Sequence, residues 1–175
     1  MKRCGAANYC SIKRKDVGFG KISLKRISAL MLDILQRCPG AGQSADVIRM
    51  HDDYPNVSTA LAFCLEWPDL LTAAQVIETR AYELNGDNYG LLTPAAEALR
   101  VRHPLAALLL WRAMIDYALE QGRATRYGNA ADYLSDCAAL DSEITDYGAF
   151  LTHAHYLHTL QTRHDRKTSF WAKLG

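Results

Sequence analysis

The chain has 175 residues, of which 49% are hydrophobic and 22% are charged, and its formal net charge at pH 7 is +1. This length is sufficient for one domain with a hydrophobic core, and the composition argues against a wholly disordered chain. With so small a net charge, the molecule as a whole has no broad electrostatic attraction for nucleic acid or for membranes.

The positive charge is concentrated at the N-terminus. Residues 1–26 contain eight lysines and arginines and a single acidic residue, Asp16, which gives the segment a formal charge of +7. The other residues therefore sum to −6, because the whole chain carries +1. We predict a basic, disordered N-terminal arm over residues 1–22 and a single helical domain over residues 23–175.

The cysteines and the apolar segments bear on the cellular compartment. The chain contains five cysteines, and no two have the Cys-x-x-Cys spacing, which argues against a disulfide framework and against a cysteine-rich zinc site. The basic N-terminus lacks the apolar stretch of a signal peptide, and the longest apolar run, residues 105–111, is too short to span a bilayer. We therefore expect a cytoplasmic protein that does not associate with membranes.

Helical periodicity extends over nearly the whole chain, and the alternation typical of strands is nearly absent. Capping residues and prolines further predict that Thr93 and Pro94 open one helix as its N-cap and first residue, and that Pro104 precedes another. In chain order, the predicted helices span about residues 23–38, 44–51, 58–66, 68–84, 93–102, 105–121, 127–144 and 150–163, followed by a short aromatic tail at 167–174.

The predicted helix at 105–121 is the strongest element. Its first half is apolar on all sides, which is typical of a buried central helix. Its second half carries a polar stripe, and the spacing of four residues between Arg112, Asp116 and Glu120 favours ion pairs along one face.

The connections between the predicted helices are short, so successive helices are expected to be antiparallel neighbours. We predict an all-α fold of seven to eight helices. Its antiparallel helical hairpins are expected to stack in a solenoid-like array of the TPR or HEAT kind, although no internal repeat of fixed length is evident.

Five short motifs mark the second half of the chain: RHPLA at 102–106, LLWRAM at 109–114, YGNAADYL at 127–134, RHDRK at 163–167 and SFW at 169–171. Together they make residues 91–174 resemble the C-terminal part of an uncharacterised bacterial helical-repeat family, a domain of unknown function. The resemblance implies a helical fold and a bacterial source. It implies no activity and no cofactor, because these motifs are structural rather than catalytic.

The C-terminal tail combines cationic and aromatic residues, since Arg163, Arg166 and Lys167 precede Phe170 and Trp171. Such a combination can bind single-stranded nucleic acid through phosphate contacts and base stacking. The alternative, which we favour, is that the two aromatic side chains fold back and close the end of the helical stack, because large aromatic residues are usually buried.

No residue pattern predicts catalysis or metal binding. Four histidines occur at positions 153, 155, 158 and 164, but at about 100° per residue no three of them converge on one point of a helix. Nucleophile motifs and phosphate-binding glycine loops are missing from the sequence. We therefore predict no catalytic residues, no metal and no cofactor.

Three functions remain open, and the first is favoured. The favoured function is a non-enzymatic helical module that binds a protein partner, which predicts exposed apolar or aromatic residues on one face. The second is association with nucleic acid through Lys13, Arg14 and Lys15 of the arm together with the cationic tail, which predicts that binding weakens steeply with salt. The third is an enzyme without a linear motif, which predicts a pocket of ionisable groups with shifted pKa values.

Overall fold

Residues 56–66 and 69–174 are described by a computed structural model. All of them fall within the unit formed by residues 41–175. The predicted basic arm, with Lys13, Arg14 and Lys15, lies outside the described residues, as do the predicted helices at 23–38 and 44–51.

The described residues form seven α-helices and no strand, which confirms the all-α prediction. None of these helices combines the length and the apolar character that a bilayer span requires. Three short 3₁₀ segments, Ala81–Glu83, Ala124–Arg126 and Asp141–Glu143, lie in the connections. The α-helices are α1 (Val57–Glu66), α2 (Leu70–Thr79), α3 (Tyr89–Leu99), α4 (Pro104–Glu120), α5 (Tyr127–Leu140), α6 (His153–Arg163) and α7 (Thr168–Trp171).

Helices α3, α4 and α5 alternate in direction. A short turn joins α3 to α4, and the start of α3 lies beside the second half of α4, where the Tyr89 hydroxyl donates to the Met114 carbonyl oxygen at 3.1 Å. The next connection reverses the chain again, and α5 packs along α4. Helix α6 runs in the direction of α4, because Tyr156 near its start contacts Asp116 and Arg163 at its end contacts Glu120.

The core is built around α4, which packs against α2, α3 and α5. Every residue from Ala106 to Trp111 is buried, which confirms that the first half of this helix is central. Full burial of each large apolar side chain contributes about 1.5–3 kcal/mol, so this run supplies a substantial part of the hydrophobic stabilisation. Pro104 is the first residue of α4, as its fixed backbone angle favours.

The start of α3 differs from the prediction. The helix begins at Tyr89, so Thr93 and Pro94 lie inside it rather than at its N-terminus. Leu92 is fully buried and the Thr93 hydroxyl forms a 3.1 Å hydrogen bond with the Tyr133 hydroxyl. These tertiary contacts offset the backbone hydrogen bond that Pro94 cannot donate.

Three predicted helix ends are also displaced. Helices α2 and α5 end at Thr79 and Leu140, and a 3₁₀ segment follows each, rather than continuing to residues 84 and 144. Ile144 is nevertheless buried, so the apolar pattern continues past the end of the α-helix. Helix α6 begins at His153 instead of residue 150, because the Thr152 hydroxyl caps it by accepting from the His155 backbone N–H at 3.4 Å.

Candidate functional site

A buried arginine lies where the apolar half of α4 meets its polar half. Arg112 is only 6% exposed. Its Nη1 donates to the backbone carbonyl oxygen of Leu151 at 2.7 Å, which joins α4 to the connection before α6. Within residues 56–66 and 69–174, no carboxylate lies at ion-pairing distance from this guanidinium. The fold therefore holds this positive charge in its interior without a paired acid.

Two aromatic rings surround the guanidinium. Its central carbon lies 4.3 Å from the ring centroid of Tyr156 and 5.8 Å from that of Tyr147. Contacts of this kind stabilise a desolvated guanidinium by about 2 kcal/mol and fix its orientation. Burial lowers the pKa of Arg112, but the ordinary value is so high that the side chain stays charged at neutral pH.

One edge of the Arg112 guanidinium is unpaired. Its Nε and Nη2 atoms are buried and have no hydrogen-bond partner. These two N–H groups point the same way on one edge of the planar group, in the geometry that binds both oxygens of a carboxylate. Each unpaired buried donor costs about 1–3 kcal/mol, and such donors are rare in proteins. We therefore take this edge, with the groups around it, as the candidate site and call it the arginine centre.

The carboxyl group of Asp116 lies one helical turn after Arg112. It accepts a hydrogen bond from the Tyr156 hydroxyl at 2.9 Å. Burial raises the pKa of Asp116 to about 6, although the hydrogen bond from Tyr156 and the charges of two arginines oppose this rise. At neutral pH the arginine centre thus contains one cation and one carboxyl group that is close to its titration point.

The polar stripe of α4 does not form the ion pairs that the sequence predicted. Arg112 and Asp116 are not at ion-pairing distance, and Glu120 pairs instead with Arg163 of α6 at 3.0 Å. The reason is that this face of α4 packs against α6 and the preceding connection rather than facing solvent along its length. Contacts between helices therefore replace contacts along the helix.

The other ionisable groups of the arginine centre are held in their neutral forms. Burial raises the pKa of the Cys137 thiol to about 12, so no thiolate forms at neutral pH. Burial and a 2.5 Å hydrogen bond to Asp141 likewise raise the pKa of Tyr147 to about 12. The pKa of Tyr156 is raised by burial and by the charge of Asp116. This arrangement suits the holding of an anion better than nucleophilic attack.

His153, at the start of α6, contributes another unpaired buried atom. Its Nδ1 is buried without a hydrogen-bond partner. Burial lowers the pKa of His153, the charge of Arg112 lowers it further, and Asp141 opposes both effects. The imidazole is therefore neutral at pH 7 and lies near enough to Arg112 for that charge to act on it. Across the described part of the chain, no three His, Cys, Asp or Glu side chains form a group that could hold a metal ion.

The aromatic residues of the C-terminal tail pack against the fold. Phe170 is fully buried, with its ring centroid 5.8 Å from that of Tyr127 and 4.9 Å from that of Trp171. Trp171 is half-buried, and its indole Nε1 donates to the His164 carbonyl oxygen at 2.8 Å. Helix α7 thus lies on α5, and in this conformation the Phe170 ring offers no free face for base stacking.

The cationic residues of the tail remain nearer the surface. Arg163 and Arg166 are exposed and Lys167 is half-buried. Arg163 forms its ion pair with Glu120, while the backbone N–H of Arg166 donates to the Asp165 carboxylate at 2.7 Å. These cations therefore lie close together in the sequence and nearer the surface than the buried Phe170 ring.

Sequence reasoning missed the arginine centre because it assigned Arg112 to a polar stripe of ion pairs along α4. A signal was nevertheless present in the sequence. Leu108 and Ile115, four residues before and three after Arg112, lie on the same face of the helix and are both buried. A charged residue between two apolar neighbours of one face is therefore a candidate for burial.

Comparison with known protein families gives one finding. A family of unknown function, DUF6880, matches residues 41–173. The chain belongs to this family. The DUF6880 match begins well before residue 91, where the resemblance seen in the sequence begins, and it includes the arginine centre and the tail but not Lys13, Arg14 and Lys15. No curated protein and no solved structure matches the chain.

Proposed function

We propose that this DUF6880 member is a non-enzymatic helical module that binds a protein partner through the connection between α5 and α6. We call residues 144–152 the anchored connection. The observation that carries the proposal is the state of Leu151, which is 50% exposed while its carbonyl oxygen is held by the buried Arg112 at 2.7 Å. An exposed apolar side chain on a fixed backbone can bind with little loss of conformational entropy.

Other contacts of the anchored connection support this proposal. The Tyr147 hydroxyl donates to Asp141 at 2.5 Å, and the Phe150 backbone N–H donates to the Tyr147 carbonyl oxygen at 2.9 Å. Tyr147 and Phe150 are half-buried, so both rings rest on the core and reach the surface. Aromatic side chains that are held in this way are typical of the central residues of protein interfaces.

The fold gives weaker support. The alternating directions of α3, α4 and α5 are compatible with a stack of antiparallel hairpins, and such stacks commonly present an extended surface to other proteins. We propose that the chain extends this arrangement as a solenoid-like array. This step is an analogy between folds, so it adds to the argument from Leu151 without replacing it.

One observation favours a second candidate function. The pKa of Asp116, raised to about 6 by burial, is suited to proton transfer near neutral pH, as in a general acid–base enzyme. The two candidates differ in what they require of Asp116, because a binding module needs no proton transfer. Asp116→Asn, which keeps an acceptor for the Tyr156 hydroxyl, is expected to leave partner binding intact.

The test is affinity capture from a lysate with the full chain as bait, in the presence of nuclease and moderate salt. We expect a stoichiometric protein partner whose recovery falls at least tenfold with Leu151→Ser, a change that removes the exposed apolar side chain and adds no charge beside Arg112. The matched control is Val101→Ser, since Val101 is 81% exposed in the connection between α3 and α4. It is expected to capture the partner normally.

Three results would overturn the proposal. The first is the absence of any stoichiometric partner. The second is the loss of all captured proteins after nuclease treatment, which would support the nucleic-acid alternative through Lys13, Arg14 and Lys15. The third is equal recovery by the Leu151→Ser and Val101→Ser variants. Circular dichroism of both variants shows whether each is folded before its recovery is compared.

A further inference from the structure

We infer that the unpaired edge of Arg112 is a binding site for a single carboxylate group. The inference rests on the proposed function only for the source of that group, which is then an acidic side chain or the C-terminus of the protein partner rather than a free carboxylic acid. The binding chemistry is the same for both sources, and it follows from the geometry, the charge and the neighbours of the guanidinium.

The geometry of the edge selects a group with two acceptor atoms. Arg112 uses Nη1 for the Leu151 carbonyl oxygen, which leaves Nε and Nη2, and these lie side by side on the opposite edge. Parallel N–H groups of this kind bind the two oxygens of a carboxylate at about 2.8 Å each. The stacked rings of Tyr156 and Tyr147 fix the plane of the guanidinium, so the direction of approach is fixed as well.

The charge of the arginine centre favours a monoanion. The ionisable groups that act on the pKa of Arg112 are Cys137, Tyr156, Tyr147 and Asp116, and none of them is a second cation. When Asp116 is protonated, a carboxylate brings the net charge of the site towards zero. A phosphate dianion would leave excess negative charge in a buried site beside Asp116, which is costly at low dielectric.

His153 is a second side chain of this region with a buried and unpaired nitrogen. Its Nδ1 is buried and unpaired, and its neutral imidazole can carry a proton on that nitrogen. The charge of Arg112 acts on this imidazole, so the two side chains lie in the same region. The region around the proposed carboxylate site therefore contains unpaired groups of both residues.

The anchored connection adjoins the arginine centre, because the Leu151 carbonyl oxygen accepts a hydrogen bond from the same guanidinium. Since Arg112 is only 6% exposed, a carboxylate reaches Nε and Nη2 when the groups that cover this edge move aside. Binding at Arg112 is therefore coupled to the position of Leu151, which the proposed function places in contact with the partner. A partner that contacts Leu151 is well placed to insert an acidic group beside it.

The test is a titration of the wild-type full chain, labelled with ¹⁵N and followed through the Nε–Hε signal of Arg112. Sodium acetate is the probe, and sodium chloride and inorganic phosphate are compared at equal ionic strength. We expect the Arg112 Hε signal to move downfield and to saturate with acetate in the millimolar range, but not with chloride. Arg112→Lys identifies the signal by its loss, and triple-resonance assignment of the wild type does so if that variant fails to fold.

Arg166→Lys is the matched control, because Arg166 is exposed, and the Arg112 response to acetate should be unchanged in it. A response that does not saturate, or that chloride reproduces, would overturn the inference, since the edge would then be satisfied by water alone. Tighter binding of phosphate than of acetate would also overturn it, because the class of ligand would be wrong.

A final titration with the captured partner tests the inference and the proposed function independently of each other. If the captured partner moves the same Arg112 signal and acetate competes with it, both proposals are supported. If acetate saturates the signal and no protein partner does so, the carboxylate site stands and the protein source is rejected. If a partner binds in a Leu151-dependent way and neither probe moves the Arg112 signal, the proposed function stands and the carboxylate site is rejected.

Discussion

The two halves of α4 differ in the kind of residue that each one buries. From Ala106 to Trp111 every residue is apolar and buried against neighbouring helices. From Arg112 to Glu120 the helix alternates buried apolar residues with a buried guanidinium, a carboxyl group with a raised pKa and a surface ion pair. Packing accounts for the first half apart from the indole Nε1 of Trp111, which is buried and has no hydrogen-bond partner. It does not account for an unpaired guanidinium edge in the second.

The contrast locates a free-energy cost in the second half of α4 that packing does not explain. Burying a charge without an ion-pair partner costs several kcal/mol before compensation, and an apolar side chain of similar volume is often as stable or more so. Arg112 recovers part of this cost through one hydrogen bond and two aromatic rings. The free-energy cost that remains is expected for a residue of a binding site but not for a residue that serves packing alone.

The largest effect is expected in the apolar half. Leu108→Ala should lower the free energy of unfolding by about 2–5 kcal/mol, because Leu108 is fully buried and its truncation leaves a cavity. Urea denaturation followed by circular dichroism measures this value. Leu105→Ala is the matched control, since Leu105 is only half-buried and should cost less. Equal losses for both variants would contradict the assignment of Leu108 to the central core.

The second effect concerns the pH dependence of stability. The pKa of Asp116 is about 6 in the fold and about 4 in an unfolded chain, so between these values the native state holds a proton that the unfolded state has released. By linkage, this group favours folding most below pH 4, and its contribution declines as the pH rises to about 6. The total decline is at most about 3 kcal/mol.

Asp116→Asn removes this titration. Relative to the wild type, the variant should gain stability as the pH rises from 4 to 7, and urea denaturation at several pH values measures the difference. Asp132→Asn, on the exposed face of α5, controls for the loss of an acidic side chain from the surface. A difference between Asp116→Asn and wild type that is constant across this pH range would show that Asp116 is not protonated preferentially in the native state.

The smallest effect on stability is expected for Arg112→Met. This variant also tests the difference between the two halves of α4 most directly. Methionine has a similar volume and removes the unpaired donors, so the free energy of unfolding should stay within about 1 kcal/mol of the wild type or increase. Partner capture should nevertheless fall. Arg166→Met controls for loss of a surface charge. A loss of stability well above 2 kcal/mol would show that Arg112 mainly supports the fold. Both halves of α4 would then serve packing alone.

Much of the fold could be predicted from the sequence because its signals are local. Pro104 fixed the start of α4 and the apolar run after it indicated burial on all sides, and both are found in the structure. The predicted start of α3 failed at Thr93 and Pro94 because burial of Leu92, a contact with other helices, extended the helix backwards. The predicted ends of α2 and α5 were wrong because the apolar period continues through the 3₁₀ segments that follow these helices.

The sequence by itself determined the helical periods, the prolines and caps that divide them, and which face of each helix is apolar, since these depend on residues within one or two turns. Only the tertiary structure decided that Arg112 is buried, that Leu151 accepts its hydrogen bond and that Asp116 meets Tyr156. These contacts join residues 39 and 40 positions apart in the chain. Their formation depends on how α4 packs against α6 and the anchored connection, and no local pattern encodes that packing.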